Sequence, residues 1–148
     1  MREDFSTFDI NKTLEIPRER LRDWMVRGFV EPSIQAEGAG TRAVFDRVDV
    51  YLVALFQELL EGGLSRSMAA IFIKQLRRNK QLRATLADTD YIICKKIGAQ
   101  KWQVALSKGK IAEKNIDESI KDDSGWKQVI IYNFTSLRKR VDERLSSL

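Results

Sequence analysis

Six arginines lie between Pro17 and Arg47, at positions 18, 20, 22, 27, 42 and 47. Arg18, Arg20 and Arg22, with Glu19 and Asp23, crowd into the run PRERLRDW, whereas Arg42 closes the glycine-rich EGAGTR. A guanidinium offers a planar fork of donors that matches a phosphate or the O6 and N7 edge of guanine. An α-helix is narrow enough to enter a DNA major groove, and a glycine-rich loop can follow the phosphates beside it. Residues 15–45 therefore hold both parts of a nucleic-acid reader, a short basic helix and a flexible basic loop. A further group, Lys74, Arg77, Arg78 and Lys80, reads as a helix end complementing its own dipole. The formal charge of +5 over 148 residues is modest, so the clustering rather than the total points to a polyanion.

Other chemistry is excluded by composition. There is no histidine, so acid–base work by imidazole and triads built on it are absent. A single cysteine, Cys94, forbids a disulfide within the chain and removes zinc or copper sites of the Cys/His type. It sits in an apolar strand pattern and reads as a small buried hydrophobe. No enzyme activity, metal or cofactor is expected. The start, MREDFSTFDINK, lacks an apolar signal core, and no run approaches membrane-spanning length; a cytoplasmic protein is expected, with no membrane partner.

The elements that must position the arginines can be read from caps and spacing. Ser6 or Thr7 caps a first helix carrying Phe8, Ile10 and Leu14, which stops near Glu15 because Pro17 disfavours helical geometry at Ile16. Pro17 opens a second helix with Leu21, Trp24 and Met25 inward, and Gly28 ends it. A loop or short β-ribbon follows to Phe45. Asp46 caps a third helix that Gly62-Gly63 terminates, and Ser65 or Ser67 starts a fourth. Beyond it YIICKK (91–96) and WQVALS (102–107) predict a hairpin, residues 108–126 a long loop, and VIIYNF (129–134) a third strand. Leu137, Val141 and Leu145, four apart, predict a closing helix. The fold class is thus a mainly α N-terminal winged helix-turn-helix domain followed by a small α+β region of three antiparallel strands and a terminal helix. The divisions are 1–80 for DNA binding, 81–90 as linker or connecting helix, and 91–148 for dimerisation or an effector.

The ordered landmarks FDINKTLEI, PRERLRDW, RGFVEP, GAGTRAVFDRVDV and LLEGGLS resemble the mercury-resistance regulator (MerR) family of winged helix-turn-helix proteins over residues 5–78. Leu21-Arg22 with Trp24 matches the family's Leu-Arg-x-aromatic signature, Gly28-Phe29 its Gly-Leu, Arg42 and Phe45 the wing's arginine and aromatic, and Asp49 the acid of the next helix. Three features depart from the pattern. Glu15 stands where the family usually has glycine, Asp23 replaces an aromatic, and Arg42 to Phe45 is one residue longer than the commonest spacing. No long heptad helix follows residue 78, so the family's antiparallel dimerisation coil is not evident.

The resemblance implies that the second helix enters the major groove of double-stranded DNA. Arg18 and Glu19 would face base edges, Arg22 would clamp base or phosphate, and Arg42 would grip phosphate. Arg20 is a further contact, and Asp23 either accepts from cytosine or repels phosphate. Trp24 is expected to pack beneath the wing, with its N–H in reach of a phosphate. One such domain has too small an interface for tight specific binding, so a homodimer is expected. Ile92, Val104, Val129, Ile131 and Leu137 are its candidate core and interface residues. A sequence-specific transcriptional regulator is the leading reading, with RNA polymerase a further candidate partner. A phage or plasmid accessory factor in excision, packaging or partition is the alternative, as is a ligand sensor in the C-terminal half, where Tyr91, Trp102, Trp126 and Tyr132 are candidate pocket aromatics.

Overall fold

The computed structural model describes residues 2–99, 101–109, 111–121 and 125–148. Its elements are α1 (Thr7–Leu14), α2 (Arg18–Val26), α3 (Arg47–Glu61), α4 (Arg66–Arg78), α5 (Lys80–Thr85), a 3-10 turn (Leu86–Asp88), β1 (Tyr91–Lys96), β2 (Trp102–Ser107), α6 (Ile111–Lys121), β3 (Gln128–Asn133) and α7 (Phe134–Leu145). The helical N-terminal region, the three antiparallel strands and the terminal helix agree with the fold class read from sequence. They form two compact units, one of Met1–Lys74 with Leu137–Leu148, the other of Gln75–Ser136.

In the first unit, paired caps set two of the helices. Ser6 Oγ accepts from Asp9 N at 3.2 Å while the Asp9 carboxylate accepts from Ser6 N at 2.8 Å, which starts α1. Asp46 and Asp49 exchange the equivalent bonds at 2.8 and 2.9 Å and start α3. Each reciprocal pair satisfies two backbone donors that a helix start leaves open. The cap turns Asp9 inward beside Ile10, Thr13 and Leu14, and Phe8 falls about 200° from Ile10 around the helix. Of the apolar positions read for this helix, Phe8 is 71% exposed.

The core is aromatic. Phe5, Phe45 and Phe56 are at most 1% exposed, Trp24 meets Phe56 edge-on at 4.9 Å, and Phe29 stacks on Phe56 at 5.7 Å. The terminal helix closes this unit. Leu137, Val141 and Leu145 are buried, and together contribute roughly 5–9 kcal/mol as an upper estimate. Polar contacts fix the register of α7. Asp142 accepts from Arg47 at 2.7 Å and from the Tyr51 hydroxyl at 2.6 Å, Arg144 donates to the Thr13 carbonyl at 3.1 Å, and Arg140 pairs with Glu58. Burial of Tyr51, with its bond to Asp142, pushes the phenol pKa up to about 12. The sequence grouping placed 137–148 with the strands; its apolar stripe belongs to the helical unit instead.

The second unit is a three-stranded sheet in the order β2-β1-β3, with Tyr91 opposite both Ser107 and Asn133. Asp90 joins the strand ends: its backbone carbonyl accepts from Phe134 N at 2.8 Å, and its carboxylate accepts from the Thr135 hydroxyl and Gly109 N, each at 2.6 Å. Gln75, near the end of α4, donates to the Trp102 carbonyl at 3.2 Å. Residues directly opposite share a face. Ile92 and Cys94 therefore share theirs with Leu106, Val104, Tyr132 and Ile130, and the other face carries Ile93, Ala105 and Ile131. Trp102 and Tyr132 lie on the opposite face from Tyr91, so the proposed aromatic pocket does not assemble from them. Burial raises the Cys94 thiol to about 12. Within residues 108–126, read as a loop, 111–121 form α6.

Candidate nucleic-acid interface

The turn between α1 and α2 decides how the basic helix is presented. Glu15 adopts φ 55° and ψ 40°, and it is the one non-glycine residue with positive φ among the described residues. Glycine takes this left-handed conformation freely, whereas a glutamate takes it at a cost of about 1 kcal/mol. The Asn11 amide donates to the Ile16 carbonyl at 3.0 Å, which holds the turn. Pro17 then fixes the approach to α2 as its N-cap residue.

Successive side chains of α2 advance about 100°. Leu21 and Trp24 are buried, at 1% and 4% exposure, so the opposite face presents Glu19, Arg22, Asp23 and Val26. Arg18 borders this face on one side, Arg20 and Arg27 on the other, and all three are exposed. The structure thus brings Arg18, Glu19, Arg20 and Arg22 onto one solvent surface. Trp24 is a core residue that orients the helix through Phe56.

Asp23 has company that the sequence did not reveal. Its carboxylate accepts from Arg27 Nε at 2.9 Å and lies 3.6 Å from the guanidinium of Arg66, at the start of α4. Two cations on one anion leave this corner net positive, so Asp23 is an organiser of arginines more than a lone acid. Arg66 was missed because it lies 43 residues beyond Asp23 in the chain. Val26 was missed because it fits neither a basic pattern nor the core stripe, yet it is 80% exposed on the outward face.

The wing is anchored at its base and open at its tip. Phe5 and Phe45 exchange two backbone bonds at 2.8 Å, and Ile34 and Val44 exchange bonds of 3.1 and 2.9 Å. Ser33 Oγ reaches Asp46 at 3.2 Å and also hydrogen-bonds to Asp49, which ties the wing base to the cap of α3. That gives the nearly buried acid of the motif its purpose. At the tip, Thr41 Oγ1 donates to the Gly38 carbonyl at 2.8 Å and accepts from Glu37 N at 2.7 Å. Gly38 and Gly40 take φ of 112° and 83°, which side-chain-bearing residues rarely adopt. Arg42 is exposed beside this turn. Arg47, counted among the six arginines, turns away from any DNA-facing role: it binds Asp142 at 2.7 Å, lies 3.6 Å from Glu3 and sits over the Phe5 ring at 5.6 Å.

No helix among the described residues is long and apolar enough to cross a membrane. No curated protein matches the chain. Residues 5–76 match the family described as MerR HTH family regulatory protein. This part of the chain is a MerR-family helix-turn-helix domain, the DNA-binding part of a transcriptional regulator.

Proposed function

We propose that the chain is a sequence-specific transcriptional regulator that binds double-stranded DNA as a homodimer. In this reading α2 lies in the major groove with Arg18, Glu19 and Arg22 toward base edges. Val26 packs against a thymine methyl, and Arg42 on the wing grips phosphate. Arg20, and the Arg27–Asp23–Arg66 cluster beside it, add phosphate contacts that fix the approach of the helix. The observation that carries the reading is the outward face of α2, polar and basic, set opposite the buried Leu21 and Trp24.

A two-fold dimer supplies the second half-site that a single small domain lacks. Of the candidate interface residues, Ile92 and Leu137 are buried within their own units, and Val104 is half-buried on β2. Val129 and Ile131 belong to β3, an edge strand, and Ile131 is 37% exposed. The β3 sequence QVIIYN carries no charge, whereas edges kept from pairing are usually protected by one. We therefore assign dimerisation to this edge.

Fluorescence anisotropy on sites selected from genomic DNA tests the reading. Arg22→Ala and Arg42→Ala are each expected to weaken binding about tenfold or more, with Arg22→Ala also relaxing sequence preference. Log affinity should fall with log salt by about 0.9 per phosphate contact. Unchanged affinity in both variants sinks the assigned face. A monomeric mass on and off DNA by light scattering removes the dimer.

A further inference from the structure

The net charge of the chain lies outside the unit that carries the arginine helix. Residues 75–136 hold twelve Lys and Arg against seven Asp and Glu, whereas the rest of the chain holds fourteen of each. The whole formal charge of +5 therefore belongs to the sheet unit, and the helical unit is balanced. Neither 91–107 nor 125–136 contains a carboxylate, and their lysines gather at one end of the sheet. Lys95 and Lys96 finish β1, Lys101 precedes β2, and Lys127 precedes β3. Backbone bonds draw these positions together: Lys127 N donates to the Lys96 carbonyl, and Ile97 N to the Lys101 carbonyl, each at 2.9 Å.

Lys95 already has a partner, which leaves Lys96, Lys101 and Lys127 as the available ammonium groups. None of these three meets a carboxylate among the described residues. Lys101 and Lys127 are exposed, and Lys96 stands 5.9 Å from the Trp102 ring centroid, a contact that leaves its charge in place. The α6 acids Asp117 and Glu118 are engaged within their own helix, with Lys121 at 3.0 Å and Lys114 at 3.9 Å. We propose that this lysine end of the sheet is a second nucleic-acid site, which binds the phosphates of duplex DNA without regard to sequence. An ammonium neutralises phosphate as a point charge but lacks the planar fork that reads a guanine edge. The helical unit makes the opposite choice, with arginine as every cation proposed to face DNA. Each phosphate neutralised at the sheet releases counterions, which adds affinity on any sequence. Duplex DNA rather than lipid is the polyanion, because the same chain carries a MerR-family DNA-binding domain. The inference rests on that domain holding DNA, not on which residues of α2 read it.

The test uses the full chain with a selected-site duplex and a scrambled duplex, read by anisotropy across a salt series. Lys96→Gln, Lys101→Gln and Lys127→Gln together should lower the salt slope on both duplexes by about 2.7. Scrambled-duplex binding should weaken at least about tenfold at about 0.1 M salt, with the thermal transition unchanged. Preference for the selected site should stay the same, since both duplexes lose the same contacts. Arginine at the same three positions should retain both slope and affinity. An unchanged slope in the glutamine variant overturns the proposal. Equal loss in the arginine variant also overturns it, by marking a structural part for these residues. Binding to phosphatidylserine vesicles that the glutamine variant abolishes, with duplex binding unaltered, would assign the site to a lipid surface instead. Failure of the assigned α2 face reads differently: Arg22→Ala then leaves affinity and preference intact while the glutamine variant still lowers the slope.

Discussion

The two units are built by different means. The first surrounds Phe5, Phe45, Phe56 and Trp24 with four helices and α7, and its α1 and α3 start at reciprocal caps. The second spreads three strands into a thin layer, with α6 held to β2 through Asn115 and Ser107 and with β3 at the sheet's edge. Aromatic centres and reciprocal caps specify one arrangement strongly, which suits the fixed helix face proposed to meet DNA. A thin sheet with an uncharged edge leaves apolar surface for binding. The contrast is between a unit that holds a shape and one whose surfaces remain open to partners.

The largest expected break in that contrast comes from ending the chain at Ser136. Removing Leu137, Val141 and Leu145 forfeits several kcal/mol, on the order of a small domain's whole stability, so the helical unit should lose its cooperative melt and its DNA binding. A melt by circular dichroism that matches the full chain would refute the part given to α7. The next effect belongs to the sheet unit. With its pKa raised to about 12, the Cys94 thiol should react with iodoacetamide about a thousandfold more slowly in the folded chain than after denaturation. Reaction at the denatured rate would mean that the sheet opens readily while the helical unit stays closed.

A smaller effect appears in alkali. The Tyr51 pKa is raised in the fold, so its stabilising contribution is complete below about pH 10 and is lost as pH climbs toward 12. About 2 kcal/mol is expected to disappear over that window, and Tyr51→Phe should remove both this loss and the tyrosinate absorbance with a midpoint near 12. An identical alkaline profile in the variant would uncouple Tyr51 from Asp142. The smallest change is a gain: Glu15→Gly should stabilise the helical unit by up to about 1 kcal/mol, by relieving the left-handed turn. A loss in chemical denaturation would show that the Glu15 side chain contributes more than its backbone costs.

Legibility in the sequence followed the same division. Ser6, Gly28, Asp46 and Gly62 each announce a boundary through local chemistry, and the structure has helix ends at or beside all of them. The hairpin and its third strand were equally readable, because β-formers and a glycine turn separate them from their surroundings. Segment 111–121 was not, because its polar composition hides the Ala112, Ile116, Ile120 spacing. The signals able to reveal it were the i,i+4 pairs Lys114–Glu118 and Asp117–Lys121, found at 3.9 and 3.0 Å. At the candidate interface, exposure of Arg18, Arg22 and Arg42 followed from the helix period and the glycine turn. The Asp23–Arg66 contact and the inward turn of Arg47 did not, since both depend on residues 43 to 95 positions away.

The excursion of the chain through residues 75–136 has a consequence for how such a molecule can change over time. The polypeptide leaves the helical body once and re-enters it once, and the body is finished by a segment encoded after the excursion. The intervening stretch therefore behaves as a cassette. It can be exchanged, enlarged or shortened between two retained attachment points without rewriting the aromatic centre. The same architecture penalises a gene fragment cut at residue 76, where the family match ends. Such a fragment would carry every arginine proposed to face DNA and lack the helix that closes their unit.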